Sequence, residues 1–185
     1  MTDSRILSRR CLGGLAIAAL QAATAGCASR PEVRHDQAPG TDLRAYRNFA
    51  FAEFAGGDGA PYSMLLASHL KQATRAQMER QHYAYDESRP DLLVSLRLVV
   101  REKQEIRSHS SGRAAWRGWP PADIETVDYR QGTLAIDLID PKRRTLIWHG
   151  VAEGRLDAKA MEQPGAAIEA AVGEIFARYP GAKGG

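Results

Sequence analysis

GTLAIDLIDPKRRTLIWHGVAEG, at residues 132–154, contains two strand patterns joined by a turn. In the first half, three apolar side chains alternate with other residues and so share one face of a strand: Leu134, Ile136 and Leu138. Asp140 followed by Pro141 suits the first two positions of a type I turn. The second half returns antiparallel with Leu146 and Trp148 on one face, and Gly150 marks either a bulge or room beside the indole. These residues predict a β-hairpin.

Two further strands are predicted before this hairpin. Residues 92–101 read LLVSLRLVVR, and their alternation places four apolar side chains on one face: Val94, Leu96, Leu98 and Val100. Residues 46–54 form an aromatic run of strand character that contains Phe49 and Phe51. The predicted sheet therefore has about four strands, with hairpins linking the last three.

Two segments have the apolar spacing of amphipathic helices. The first lies between residues 63 and 82, and its stripe comprises Leu66, Leu70, Ala73 and Gln77. The second runs from Pro164 to Pro180, and its stripe comprises Ile168, Ala171, Val172, Ile175 and Tyr179. We predict a single α+β domain over residues 43–180, with an antiparallel sheet of about four strands, two amphipathic helices packed on one face, and a long hairpin arm. Residues 181–185 are predicted to be a disordered tail.

The arm, at residues 101–127, is the least regular part of the predicted domain. Across residues 101–121 five basic side chains oppose two acidic ones, and two of the three tryptophans lie here without apolar periodicity. The candidate binding residues are Arg113, Trp116, Arg117 and Trp119, because tryptophan offers both stacking area and an N–H donor. Such an arm could bind a glycan, an anionic lipid surface or an envelope protein. The alternative is a hairpin tip whose tryptophans fold back on the sheet.

The first 26 residues have the features of a bacterial export signal. Arg5, Arg9 and Arg10 precede a weakly apolar run at residues 12–25, which is too short to span about 30 Å of hydrocarbon. We therefore predict a signal peptide over residues 1–26. The paired arginines also resemble the start of a twin-arginine signal, so general secretion and export of the folded chain both stay open.

The end of this leader, TAGC at residues 24–27, resembles the lipobox of bacterial lipoproteins. The resemblance implies that the leader is cut before Cys27 and that a diacylglycerol is attached to the Cys27 thiol, which anchors the chain in a membrane. The alternative is an ordinary cysteine near a conventional cleavage site. Ala28 and Ser29 lack the aspartate associated with inner-membrane retention, which by the same resemblance favours an outer membrane lipoprotein facing the periplasm. Residues 27–42 are predicted to be this lipidated cysteine and a flexible tether, with an edge strand at Glu32 to His35 as the alternative.

Charge and cysteine content argue against two classes of function. The whole chain has a formal charge of +3, and without the leader, which holds three arginines and one aspartate, the charge falls to about +1. A general nucleic-acid-binding surface needs a larger basic excess, so no nucleic-acid partner is expected. Cys27 is the one cysteine outside the leader, so we expect neither an intramolecular disulfide nor a thiolate metal site.

The sequence contains no recognised catalytic or metal-binding motif. The five histidines are scattered, with no zincin or nucleophile-elbow pattern. Asp123, Glu125 and Asp128 form the one dense acidic cluster, which could hold calcium if the loop curled, but the spacing and turn glycine of an EF-hand are missing. The solvated start of a strand suits these residues better. We expect no metal, no cofactor and no catalytic residues.

Four segments together resemble the bacterial lipoprotein domain of unknown function DUF4136: YRNFAF at residues 46–51, RPDLLV at 89–94, GTLAIDLID at 132–140 and LIWHG at 146–150. The resemblance covers roughly residues 42–180. It implies no assigned activity, so it contributes no functional residues. The segment at residues 116–121 lies outside the resembling pattern.

The sequence favours a lipid-anchored periplasmic protein that serves as a non-enzymatic interaction or assembly module of the cell envelope. Its contact surface would be the arm with Trp116 and Trp119. The alternative is a carrier that binds a small apolar ligand between the sheet and the helices. Trp148, Phe49 and Phe51 prompt this second hypothesis, because they are predicted near an apolar sheet face.

Overall fold

The computed structural model describes residues 30–52, 61–109 and 123–182. Within these ranges the chain forms six strands, three α-helices and two short 3-10 turns. The strands are β1 (Glu32–Gln37), β2 (Asn48–Phe51), β3 (Ala84–Tyr85), β4 (Leu92–His109), β5 (Asp123–Asp140) and β6 (Thr145–Leu156). The helices are α1 (Pro61–Arg80), α2 (Ala158–Glu162) and α3 (Pro164–Phe176), and the 3-10 turns lie at Leu43–Ala45 and Pro180–Ala182.

All six strands form one mixed sheet in the order β1-β6-β5-β4-β2-β3. β4, β5 and β6 pair antiparallel in its centre, whereas β2 runs parallel to both β4 and β3. This parallel pairing arises because α1 carries the chain back across the sheet after β2, as a crossover between parallel strands requires. The predicted antiparallel sheet of about four strands with two helices is therefore wrong.

The two edge strands were not part of the predicted four-strand sheet, because few apolar side chains mark them. β1 reads EVRHDQ, with Val33 as its one apolar residue, and β3 is two residues long. β1 pairs with β6 from Glu32 opposite Glu153 to Gln37 opposite Trp148, so backbone hydrogen bonds hold it, and Val33 packs against the core from this strand. Residues 32–37 thus belong to the sheet rather than to a flexible tether, and the strand is two residues longer than the alternative at Glu32 to His35. Residues 181–182, predicted in a disordered tail, lie in the second 3-10 turn.

The core lies between the sheet and the two longer helices. α1 packs against α3, and both contact the same face of the sheet, α1 through β4 and α3 through β6. The buried residues that fill this layer include Phe49, Leu96, Ile136 and Trp148 from the sheet and Leu70, Met78, Val172 and Ile175 from the helices. The opposite face is polar, and there Glu153 forms ion pairs with Arg34 (3.3 Å) and Lys103 (3.9 Å).

The β5–β6 hairpin contains an irregularity that simple alternation did not predict. Leu138 pairs with Trp148 and Ile139 pairs with Leu146, so Ile147 is left without a partner in the register. A bulge of this kind changes which side chains face the core. Ile147 and Trp148 are both buried, whereas Leu146, predicted to share the face of Trp148, is 49% exposed.

Candidate ligand groove

A groove of about 800 Å³ lies between the sheet and the helices, at the end of the interface away from the packed core. Its floor is formed by the helix-facing side chains of β4, β5 and β6: Leu98, Val100, Leu134, Ala152 and Leu156. Its walls come from α1, α2 and α3 and include Leu66, Met161, Ala167, Ile168 and Ala171. Aliphatic side chains thus dominate the lining.

Small residues line both surfaces of the groove. Gly132 and Gly154 are direct cross-strand partners in the β5–β6 ladder, and both lie in the floor. Above them α3 presents alanines, among them Ala167 and Ala171. A Cβ added at Gly132 would lie 3.0 Å from Cδ2 of Leu156, which packs over this glycine, so a side chain at position 132 would push Leu156 into the groove.

The other end of the same sheet–helix interface is closed by aromatic rings. Trp148 packs on Phe176 and Tyr179, with ring centroids 5.9 and 5.1 Å apart respectively. All three rings are almost completely buried. One layer of the protein is therefore divided into a tightly packed aromatic end and an open aliphatic end.

The rim of the groove carries both signs of charge. Arg130 forms an ion pair with Glu102 at 3.4 Å. Asp157 accepts a hydrogen bond of 2.7 Å from the backbone N–H of Ala160 and so caps α2, while Lys159 lies two residues further along. The charges of Arg130 and Lys159 balance those of Glu102 and Asp157. The rim therefore favours neither an anionic nor a cationic ligand.

Arg155 belongs to the polar side of the sheet, although its position adjoins the groove. Its guanidinium lies 3.9 Å from the centre of the Tyr129 ring and forms an ion pair with Glu105. Since successive strand residues point to opposite faces, this orientation agrees with Leu156 facing the groove. The hydrogen bonds from Arg107 and Arg155 hold the pKa of Glu105 below its usual value.

Several large apolar side chains remain exposed around the groove. Tyr62 on α1, Val100 on β4 and Met161 on α2 all line it, yet they are 57%, 50% and 42% exposed. Leu65, which is 50% exposed, lies one helical turn beyond Tyr62 on α1. A concentration of exposed apolar surface around a cleft is typical of ligand or membrane contact.

The residues that sequence analysis proposed for binding lie outside the described part of the chain. These are Cys27 and the arm residues Arg113, Trp116, Arg117 and Trp119. The described base of the arm is a regular ladder, in which β4 and β5 pair as far as His109 opposite Asp123. Its side chains are mostly exposed, and Ile106 is 72% exposed.

The aromatic residues that prompted the carrier hypothesis do not line the groove. Phe49 and Trp148 are buried in the core, and Phe51 packs on Phe49 at a ring-centroid distance of 5.7 Å. The groove depends instead on Gly132, Gly154 and the alanines of α3, which sequence reasoning missed. A signal was present, because residues 164–173 read PGAAIEAAVG and both strands of the hairpin contain a glycine.

Other polar groups in the described ranges do not form a metal site. His149 hydrogen-bonds Asp137 on the polar face of the sheet. Glu125 and Asp128, members of the acidic cluster considered for calcium, lie along the extended strand β5. Over residues 30–52, 61–109 and 123–182, no three His, Cys, Asp or Glu side chains come together as metal ligands. Among the helices of these same ranges, none has the length and apolar content needed to cross a membrane.

Comparison with known proteins shows a shared fold and a family. The chain resembles a PDZ domain protein from Parabacteroides distasonis (TM-score 0.55, 15% identity), covering 84% of this chain and 37% of that one. It also resembles a DUF4136 family protein from Bacteroides thetaiotaomicron (TM-score 0.51, 11% identity), covering 82% and 97% of the two chains. At these identities the likeness shows the fold alone, and this chain spans little more than a third of the first protein.

No curated protein matches the chain significantly. A family model described as a domain of unknown function, DUF4136, matches residues 33–181, which is most of the chain. The resemblance carried by the four sequence segments is thereby confirmed. The chain belongs to the DUF4136 family.

Proposed function

We propose that this protein is a lipid-anchored binding protein of the bacterial cell envelope that holds a small apolar ligand in the groove between its sheet and its helices. The observation that carries the proposal is the groove itself, with about 800 Å³ of space over the paired Gly132 and Gly154. Ligand sites in proteins occupy about 300–1,000 Å³. A packing defect in a protein interior holds at most a few waters of about 30 Å³ each, so the groove is of ligand size.

The lining supports an apolar ligand. The floor and walls are mainly aliphatic, and each buried methylene of a ligand contributes about 0.8 kcal/mol. The polar groups are confined to the rim, where Arg130 pairs with Glu102 and Asp157 is engaged as a helix cap. A ligand with a long aliphatic part and a polar end at the rim would leave none of these groups buried and unpaired.

The proposed location rests on the leader. The TAGC sequence at residues 24–27 and the basic, weakly apolar run before it support export and lipidation of Cys27. Ala28 and Ser29 support the outer membrane, with the domain in the periplasm. Mass spectrometry of the mature N-terminus tests this part, because an unmodified alanine at the start would contradict the lipid anchor.

Binding in the groove is tested by titrating the purified protein with a neutral apolar fluorescent probe, N-phenyl-1-naphthylamine, and measuring its affinity. Ala167→Trp places an indole in the groove and should lower the affinity for the probe by at least about tenfold. Ala177→Trp is the matched control, since Ala177 lies exposed at the end of the same helix and outside the groove. Equal affinity of both variants and the parent would contradict binding in the groove.

A second proposal keeps the arm as an interaction surface for an envelope protein or a glycan. It is supported by the long β4–β5 ladder, whose side chains from Arg101 to Gln104 are exposed and which leads toward Trp116 and Trp119. Replacing both tryptophans by alanine should abolish binding to isolated cell-wall glycan or to a crosslinked envelope partner. The free energy of unfolding should stay within about 0.5 kcal/mol of the parent, as is usual for surface positions. A large loss of stability would instead assign the tryptophans to the core.

A further inference from the structure

The N-terminal end of the described chain lies at the groove. Pro31 lines the groove, next to the floor residue Gly154, and a Cβ added at Gly154 would lie 3.3 Å from the Cα of Pro31. Cys27 precedes Pro31 by four residues, a separation that cannot exceed about 14 Å even in fully extended chain. A flexible tether over residues 27–42 would have reached about 50 Å. Because β1 begins at Glu32, a lipid on Cys27 would be attached within about 14 Å of Pro31 at the groove.

The two faces of the molecule differ in what they offer a membrane. We call four exposed residues the mouth patch: Tyr62, Val100 and Met161 of the groove lining, and Leu65, one helical turn from Tyr62 on α1. The other side of the sheet exposes charged side chains, including those of Arg34 and Lys103 around Glu153. Apolar groups gain free energy on entering a bilayer, whereas exposed ion pairs are well solvated in water.

We infer that the mouth patch docks on the phospholipid bilayer that holds the Cys27 lipid, so that the groove opens toward the membrane surface. This inference rests on the proposed function, because it takes Cys27 as lipidated and the groove as the binding site. Lys159 at the rim has a long aliphatic stem and can place its charged end among headgroup phosphates while the patch enters the interface. A ligand then passes between groove and leaflet without crossing water.

The test measures the position of the mouth patch in the lipidated protein. Full-length protein is processed in cells and reconstituted into vesicles of phosphatidylethanolamine and phosphatidylglycerol that contain a doxyl-labelled acyl chain as quencher. A fluorescent maleimide is attached to Leu65→Cys and, as a matched control, to Leu146→Cys. The two leucines are 50% and 49% exposed, but Leu146 lies outside the mouth patch. The thiol of Cys27 is consumed by the lipid, so only the introduced cysteine reacts.

The expected result is quenching at position 65 that is several-fold stronger than at position 146. Equal quenching at both positions would overturn the docking inference. The affinity of the purified protein for N-phenyl-1-naphthylamine would still report on binding in the groove. Labelling of a chain that has neither substitution would mean that Cys27 is free, which would overturn both the lipid anchor and the docking. The three results separate failure of the docking from failure of the proposed function.

Discussion

Gly150 lies directly against the indole of Trp148. A Cβ at this position would be 2.5 Å from Cγ2 of Ile175 and closer still to Cη2 of Trp148. Both neighbours are almost completely buried, so neither can move aside without disturbing the aromatic end of the core. The glycine leaves room for the indole, and the bulge of this hairpin lies elsewhere, between Leu138 and Ile139.

Gly150→Ala is therefore expected to lower the free energy of unfolding by about 1–3 kcal/mol, the usual effect of overpacking a core. Gly173→Ala is the matched control, since a Cβ there would meet only Nε2 of Gln77 at 3.7 Å and Gly173 lies inside α3. This control should gain about 0.5–1 kcal/mol, because alanine favours helix more than glycine. Urea unfolding measures the stability of both variants. Equal changes in unfolding free energy would contradict the steric clash predicted at Gly150.

Tyr179→Phe and Tyr83→Phe are predicted to lower the free energy of unfolding by different amounts. Tyr83 donates a hydrogen bond to the carbonyl of Leu43 at 2.8 Å, so the 2.7 Å bond between the two phenols must be donated by Tyr179. Burial raises the pKa of both phenols, which keeps them protonated. Tyr179→Phe removes one bond and should cost about 1 kcal/mol.

Tyr83→Phe removes both of these hydrogen bonds and leaves the carbonyl of Leu43 and the hydroxyl of Tyr179 without these partners. The expected loss in unfolding free energy is about 2–3 kcal/mol, larger than for Tyr179→Phe. Thermal and urea unfolding of the two variants, side by side, check the order. A smaller loss for Tyr83→Phe than for Tyr179→Phe would contradict the hydrogen bond from Tyr83 to the Leu43 carbonyl.

Asp140 is expected to make the stability of the hairpin depend on acid pH. One of its oxygens accepts hydrogen bonds from the backbone N–H groups of Arg143 (3.0 Å) and Lys142 (2.8 Å), and the other accepts from the hydroxyl of Tyr46 (3.0 Å). The bond from Arg143 is the largest of the influences that hold the pKa of Asp140 below its usual value of 3.8, against the opposing effect of burial.

Because the pKa is lower in the folded chain, the contribution of Asp140 is fully present above about pH 4 and is lost as the pH falls through the folded-state pKa. Asp140→Asn removes the charge, so this variant should be less stable than the parent at pH 7 and the difference should shrink below about pH 4. Urea unfolding between pH 2 and pH 7 measures it. A difference that does not change with pH would show that the carboxylate charge has no part in the turn.

Gly132→Val should separate ligand binding from stability. Valine favours strands more than glycine, and its branched side chain would occupy the floor of the groove after a small shift of Leu156. The affinity for the apolar probe should fall at least about tenfold, while the unfolding free energy stays equal or rises. Loss of stability together with binding would indicate that the groove is closed by packing in the free protein.

Some helices and strands were predictable because the pattern that marks them lies in neighbouring residues of the sequence. The alternation at residues 92–101 and 132–138 depends only on neighbours along the chain. Its predicted inward-facing members are buried or partly buried, except Val100, which is 50% exposed at the groove. The helix stripes around Leu70 and Val172 follow the same reasoning. In contrast, β1 and the parallel pairing of β2 depend on partners distant in the sequence, such as Glu153 for Glu32 and Leu92 for Phe49.

The amino-acid sequence by itself determined the hairpin at residues 132–154, the two longer helices and the family, because periodicity and short motifs are properties of neighbouring residues. Only the tertiary structure decided the groove. A cavity exists where side chains are missing on two surfaces that face each other, and Gly132, Gly154 and Ala167 become one site only when α3 lies over the β5–β6 ladder. The place of Pro31 at the groove has the same origin, since backbone pairing of β1 with β6 holds the adjoining strand beside Gly154.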